Sequence, residues 1–246
     1  MAVVTQRTAV LSRRAVIALA STAVVGATVC PAVAGSECGV ACPLKKSYVR
    51  VVAIGAHDVT ASKPLGLPAA LAWAVSQVGL VDLIALDRGI AAADEGEVEF
   101  LRMWARDHAC HVALVGERRI VVSPEGGVVL DGQERDVAVL SSEIGVIAIS
   151  SEYDTRIPPA AEIVIRKGGD RGRGVSALDV TTGASVGAYV LDLSARHDRQ
   201  ISGPVIYGPG GEAMTQAAAG WGQSVTASLN MATLRRTKSG NPIGSV

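Results

Sequence analysis

The stretch IGVIAISSEYDTRIPP (144–159) decides how this chain folds. Its first six residues are an apolar, β-branched run and read as a buried strand. Ser150, Ser151, Glu152 and Asp154 follow at once, and Pro158–Pro159 close the segment. A polar cluster at the carboxyl end of a buried strand is where open α/β sheets hold ligands. None of these groups is a thiol, so the stretch poses the question of whether it does chemistry or only keeps a shape.

The same pattern recurs outward from it. VRVVAI (49–54), VDLIAL (81–86), HVALVG (111–116) and DVAVL (136–140) read as further strands. KPLGLPAALAWAVSQVG (63–79) reads as a helix ending at a glycine. DEGEVEFLRMWARDHA (94–109) reads as an amphipathic helix, with Asp94 and Glu95 where the macrodipole favours negative charge and Val98, Leu101 and Ala105 on one face. RRIVVSPEGGVVLDG (118–132) predicts a hairpin turning at Pro124–Gly127. Past the central stretch, EIVIRKGG (162–169), AYVLDLS (188–194), GPVIYGPGGEAM (203–214) and QSVTASLNM (223–231) read as strands, and TLRRTKSGNPIGSV (233–246) as a basic, polar tail. No internal repeat is visible. The boundaries expected are a signal segment at 1–34, a linker at 35–47, one domain at 48–238 and a tail at 239–246.

Composition agrees with one α/β domain. The chain has 246 residues, 49% of them hydrophobic but only 3% aromatic, so the core is built from Val, Ile, Leu and Ala. The formal net charge is zero, and no nucleic-acid motif is present. At the amino end, Arg13–Arg14 precede the apolar run AVIALASTAVVGATV and then AVA before Gly35. That order is the signature of a signal peptide, and the paired arginines fit twin-arginine export. The expected destination is the periplasm or the exterior, with a membrane anchor if the segment stays uncut. Cys38 and Cys42 can close a small disulfide loop in an oxidising compartment, or stand as incidental cysteines.

Other clusters have plain readings. The glycine-rich RKGGDRGRG (166–174) and GPGGE (208–212) lack the G-K-[ST] of a phosphate loop and read as turns, so no cofactor is expected. His108, Cys110 and His111 in HACH read as turn residues rather than metal ligands, and neither His57 nor His197 completes a ligand spacing. For Ser150 as a nucleophile, Glu152 is the nearest base, but no histidine completes a triad and no G-x-S-x-G elbow is present.

The order of elements resembles the carbon–nitrogen hydrolase (nitrilase) superfamily over most of residues 49–238. VDLIALDR is similar to the family's ADLIVLPE strand, and FLRMWARDHACHVALVGERR to its helix, strand and G-x-x-E-R. SSEIGVIAISSEYDTRIPP resembles the strand ending in G-V-x-I-C-Y-D-x-R-x-P, and SGPVIYGPGGEAM the S-x-I-x-D-P-x-G hairpin. The resemblance implies an α-β-β-α sandwich, often dimeric, and a Glu–Lys–Cys triad in which the thiolate attacks an amide or nitrile carbon.

This sequence departs from the triad at each position. The strand-end glutamate falls on Arg88, with Asp87 its acidic neighbour. No lysine occurs between Lys63 and Lys167, which leaves Arg135 as the cationic stand-in. The cysteine falls on Ser150 when the strand is aligned, or on Glu152 when EYDTRIP is laid on C-Y-D-x-R-x-P. Loss of a whole catalytic unit costs on the order of 10⁶-fold in rate in other enzymes. The expectation is therefore an exported nitrilase-like protein that binds a small amide or carboxylate, with Arg88 and Arg135 as binding residues. The alternatives are an amidase or acyltransferase with Ser150 as nucleophile and Glu152 or Asp87 as base, and an envelope interaction protein.

Overall fold

The structure is a computed structural model. It describes residues 45–55, 67–87, 94–116, 118–133, 137–150, 157–167, 185–193, 196–197, 200–201, 203–217 and 224–240. The chain divides into two compact units, Met1–Cys42 and Pro43–Val246, and all described residues belong to the second. The segment 1–34 read as a signal, Cys38, Cys42, Arg88, Arg135, Glu152 and the glycine-rich stretch 168–174 read as a turn fall outside the described residues.

Apolar runs with no polar face make central strands, and here they build two six-stranded sheets. In the first, β1 (Tyr48–Ile54), β2 (Leu83–Asp87) and β3 (His111–Val115) run parallel. β4 (Arg118–Val122) and β5 (Val128–Gln133) continue it antiparallel on one side, and β14 (Ser224–Asn230) closes the other against β1. In the second, β7 (Gly145–Ser150), β8 (Ile163–Arg166) and β9 (Tyr189–Asp192) are the parallel centre. β6 (Ala138–Ser142) flanks β7, while β12 (Val205–Tyr207) and β13 (Ala213–Gln216) flank β9. β6 runs two residues past its apolar run because pairing with β7 continues to the Ser142–Gly145 turn. A short ribbon joins β10 (Arg196–His197) and β11 (Gln200–Ile201).

Strand alternation divides the side chains between the faces. Val49, Val51, Leu83, Ala85, Ala113 and Val121 of the first sheet meet Ile147, Ile149, Ile163, Ile165 and Leu191 of the second in one buried layer. Each fully buried Val, Leu or Ile contributes about 1.5–3 kcal/mol. On the outer face of the first sheet, Val52, Ile84, Val112 and Ile120 pack against α1 (Leu67–Val78) and α2 (Glu95–His108). In α2 the cap is Asp94, whose carboxylate accepts from the Glu97 N–H at 2.8 Å, and Val98, Leu101, Trp104 and Ala105 are buried. On the outer face of the second sheet, Ala148, Val164, Val190, Val205 and Tyr207 form a third buried cluster with Ile157, Ala161 and Ala188. The proline segment makes only a turn there, Ala161 N–H donating to the Pro158 carbonyl at 2.9 Å before β8 begins.

The end of the chain corrects the reading of 233–246 as a tail, since Met231–Lys238 form a helix, α3. Composition hid it because six of its eight residues are not large apolar ones. Asn230 caps it by accepting from the Thr233 N–H at 3.0 Å, and Met231 and Leu234 enter the inter-sheet layer. Arg235 then donates to Glu162 at 2.7 Å and to the Lys46 carbonyl at 2.7 Å. Lys46 also donates to Asp82 at 2.6 Å, and its N–H bonds the Glu143 carbonyl at 2.9 Å. His111 lies 3.6 Å from the Glu143 carboxylate. These contacts surround the amino ends of β3, β7 and β8 and join both sheets, Lys46 and α3 at one pole.

Candidate functional site at the carboxyl pole

The carboxyl ends of both parallel centres meet at the other pole. Gly55, just past β1, approaches the second sheet so closely that a Cβ on it would lie 2.9 Å from the Leu193 carbonyl. Glycine is required there by contact rather than by backbone angle.

Two charged residues lie at this pole on the side facing between the sheets. Asp87 ends β2 in alternation with Leu83 and Ala85, and Arg119 alternates with Val121 on β4. They are 7% and 1% exposed. An arginine this deep needs polar partners, and Arg119 Nη1 donates to the Ile149 carbonyl across the layer at 3.3 Å. The first sheet thereby grips β7 one residue before Ser150.

Three more polar residues lie on the opposite face of the second sheet. Ser150 ends β7, Arg166 ends β8 and Asp192 ends β9, and the ladder registers Ser150 with Arg166 and Arg166 with Asp192. They alternate with Ile149, Ile165 and Leu191, which face the first sheet, and so share the outward face of Ala148, Val164 and Val190. All three are at most 1% exposed. Arg166 and Asp192 both have polar or electrostatic partners. Ser150 Oγ is buried with no hydrogen-bond partner among the described residues.

The sheet thus keeps Ser150 and Asp87 apart, the hydroxyl outward and the carboxylate inward. Sequence reasoning missed Arg119, Arg166 and Asp192, as well as Lys167, which directly follows β8 at this pole. Arg166 and Asp192 are the last residues of otherwise apolar strands (IVIR, YVLD), Arg119 is the second residue of β4 (RRIVV), and runs this short do not reveal which face each charge takes.

The residues of HACH are dispersed. His108 stacks on Trp104 with ring centroids 4.0 Å apart, and His111 faces Glu143. Cys110 precedes β3 at the amino pole, 1% exposed, and burial pushes its thiol up to about 12. No group of three or more metal-ligating side chains occurs among the described residues, and no helix among them is long and apolar enough to cross a membrane.

No family model and no curated protein matches the chain. Solved structures do match. Nit3 of Saccharomyces cerevisiae, a member of branch 10 of the nitrilase superfamily, aligns with a TM-score of 0.60 at 12% identity, over 82% of this chain and 97% of that one. A carbon–nitrogen hydrolase from Helicobacter pylori G27 aligns at 0.62 and 11% identity, over 79% and 94%. The amidase of Nesterenkonia sp. AN1 aligns at 0.55 and 16%, over 76% and 95%. In a mutant form of that amidase, acrylamide undergoes Michael addition at the active-site cysteine. The two mixed six-stranded sheets of this chain therefore have the nitrilase-superfamily fold.

Proposed function

We propose that this chain is an exported protein that uses the nitrilase fold to bind a small molecule bearing an amide or carboxylate, without hydrolysing it. The observation that carries the reading is the make-up of the carboxyl pole. Attack on an amide carbon needs a nucleophile, a base that reaches it and a cation aimed at the oxyanion. Here Ser150 ends β7 on the outward face of the second sheet, whereas Asp87 ends β2 on the inward face of the first, with no thiol beside either among the described residues. Cys110 is one strand length away, roughly 16 Å from the carboxyl end of β3 at 3.3 Å per residue. With its thiol pushed up to about 12, it is protonated at neutral pH.

The groups present suit recognition. A guanidinium donates to a carbonyl or carboxylate oxygen, and a carboxylate accepts from an amide N–H. Arg119 and Asp87 bring this pair to the inward side of the pole, buried where such hydrogen bonds are strong. Export rests on the arginine pair, apolar run and A-x-A site of residues 12–34.

The test is a thermal-shift titration of the purified chain with propionamide, propionate and butyronitrile. A rise in melting temperature that saturates with one of them, and that Arg119→Met diminishes, is the expected result. No shift from any of the three overturns the reading in favour of an interaction protein. Ser150 labelled by a serine-directed phosphonate, with loss of turnover, overturns it in favour of a serine amidase.

A further inference from the structure

We infer that Ser150 and Arg166 form a second recognition site, for a monoanionic carboxylate, on the outward face of the second sheet. It goes beyond the inward pair Asp87 and Arg119, from which sheet two separates it.

Three observations carry it. First, the register puts Ser150, Arg166 and Asp192 side by side across β7, β8 and β9, at neighbour spacings of about 4.8 Å. A hydroxyl and a guanidinium that close together converge on one oxyanion. Second, the row sits at the carboxyl ends of three adjacent parallel strands, where an α/β sheet leaves room for ligands. Third, Ser150 Oγ is fully buried with no hydrogen-bond partner among the described residues. A buried hydroxyl in that state destabilises the fold, and Ala148, two residues earlier on the same face, does without one. The hydroxyl gains its partner when an acceptor arrives.

Asp192 sets the charge of that acceptor. It flanks Arg166 on the side away from Ser150, so the row is electrically neutral and repels a second negative charge. A carboxylate monoanion fits; a phosphate dianion does not. Val205, opposite Asp192 in the ladder, ends the polar row with apolar surface for an alkyl group.

The test follows the melting temperature of the full chain with sodium acetate, against chloride and phosphate at matched ionic strength. Acetate at about a hundredfold excess over its Kd raises it by roughly 5–10 °C, whereas chloride and phosphate do not. Ser150→Ala raises the acetate-free melting temperature by about 2–4 °C, because the unsatisfied hydroxyl is gone. The same variant loses most of the acetate shift but keeps any propionamide shift, while Arg119→Met does the reverse. Asp192→Asn lets phosphate substitute for acetate. Absence of an acetate shift in the wild-type chain, or a full acetate shift in Ser150→Ala, overturns the proposal. Repeating the acetate comparison in the Arg119→Met background removes any carboxylate binding by the inward pair, so these results bear on the outward site alone, while propionamide reports the inward pair.

Discussion

Arg119 of the first sheet donates to the carbonyl of Ile149 in the second at 3.3 Å. A guanidinium therefore crosses the apolar layer and fixes the backbone immediately before Ser150. Arg119→Ala removes that bond and leaves a cavity, and costs about 2–4 kcal/mol in urea unfolding. Arg119→Met fills much of the same volume without a charge and costs roughly half as much. Equal losses in the two variants would show that the hydrogen bond, not the volume, holds the sheets here.

Glu162 and Arg235 join the second sheet to α3 at 2.7 Å. Burial alone pushes the Glu162 carboxyl up. The hydrogen bonds from Arg235 and the Val146 N–H, with the charges of Arg235 and Lys45, outweigh it and hold the group below its ordinary value of 4.5. A depressed carboxylate stabilises the fold above its unfolded pKa, and that stabilisation is lost as pH falls through the folded value. Glu162→Gln is expected to lower stability by about 1.5–3 kcal/mol at pH 7. The gap from wild type, followed by urea midpoints, closes below about pH 4.5.

His111 titrates in the opposite sense. Burial lowers its pKa from the ordinary 6.5, partly opposed by Glu143 and, more weakly, by the backbone of Asp82 and by Glu125, while Lys46 adds to the lowering. The folded state then takes up a proton less readily than the unfolded chain, so stability falls as pH drops below about 6.5. Glu143→Gln removes the leading opposing charge and steepens the fall; His111→Gln flattens it. Urea midpoints between pH 7 and 5 distinguish the three slopes.

Cys110 is expected to resist alkylation while the chain is folded, since burial keeps its thiol protonated, with a pKa pushed up to about 12. Iodoacetamide at pH 7.5 followed by peptide mapping checks this at the one position. Modification of Cys110 in the native protein at the rate seen in urea would contradict its place in the core.

Strand identity was legible because buried parallel strands are written as short β-branched runs, and IGVIAIS, EIVIR and VDLIALD each appear where the sheets have them. The α2 helix was legible from Asp94 and the spacing of Val98, Leu101 and Ala105. The α3 helix was not, because Met231 and Leu234 are its only large apolar residues and the groups that anchor it, such as Glu162, 73 positions from Arg235, are distant in sequence. The same limit hid the site. Ser150 stood out at the head of a polar cluster in the sequence, but its neighbours Arg166 and Asp192 are brought to it by ladder register, which local spacing does not encode.

The central claim is that this scaffold binds at its carboxyl pole without breaking a carbon–nitrogen bond. Ammonia release by the purified chain from propionamide, glutaramate and butyronitrile measures it directly. The account predicts release equal to the buffer blank, unchanged by Ser150→Ala. Saturable ammonia release that Ser150→Ala abolishes would contradict it.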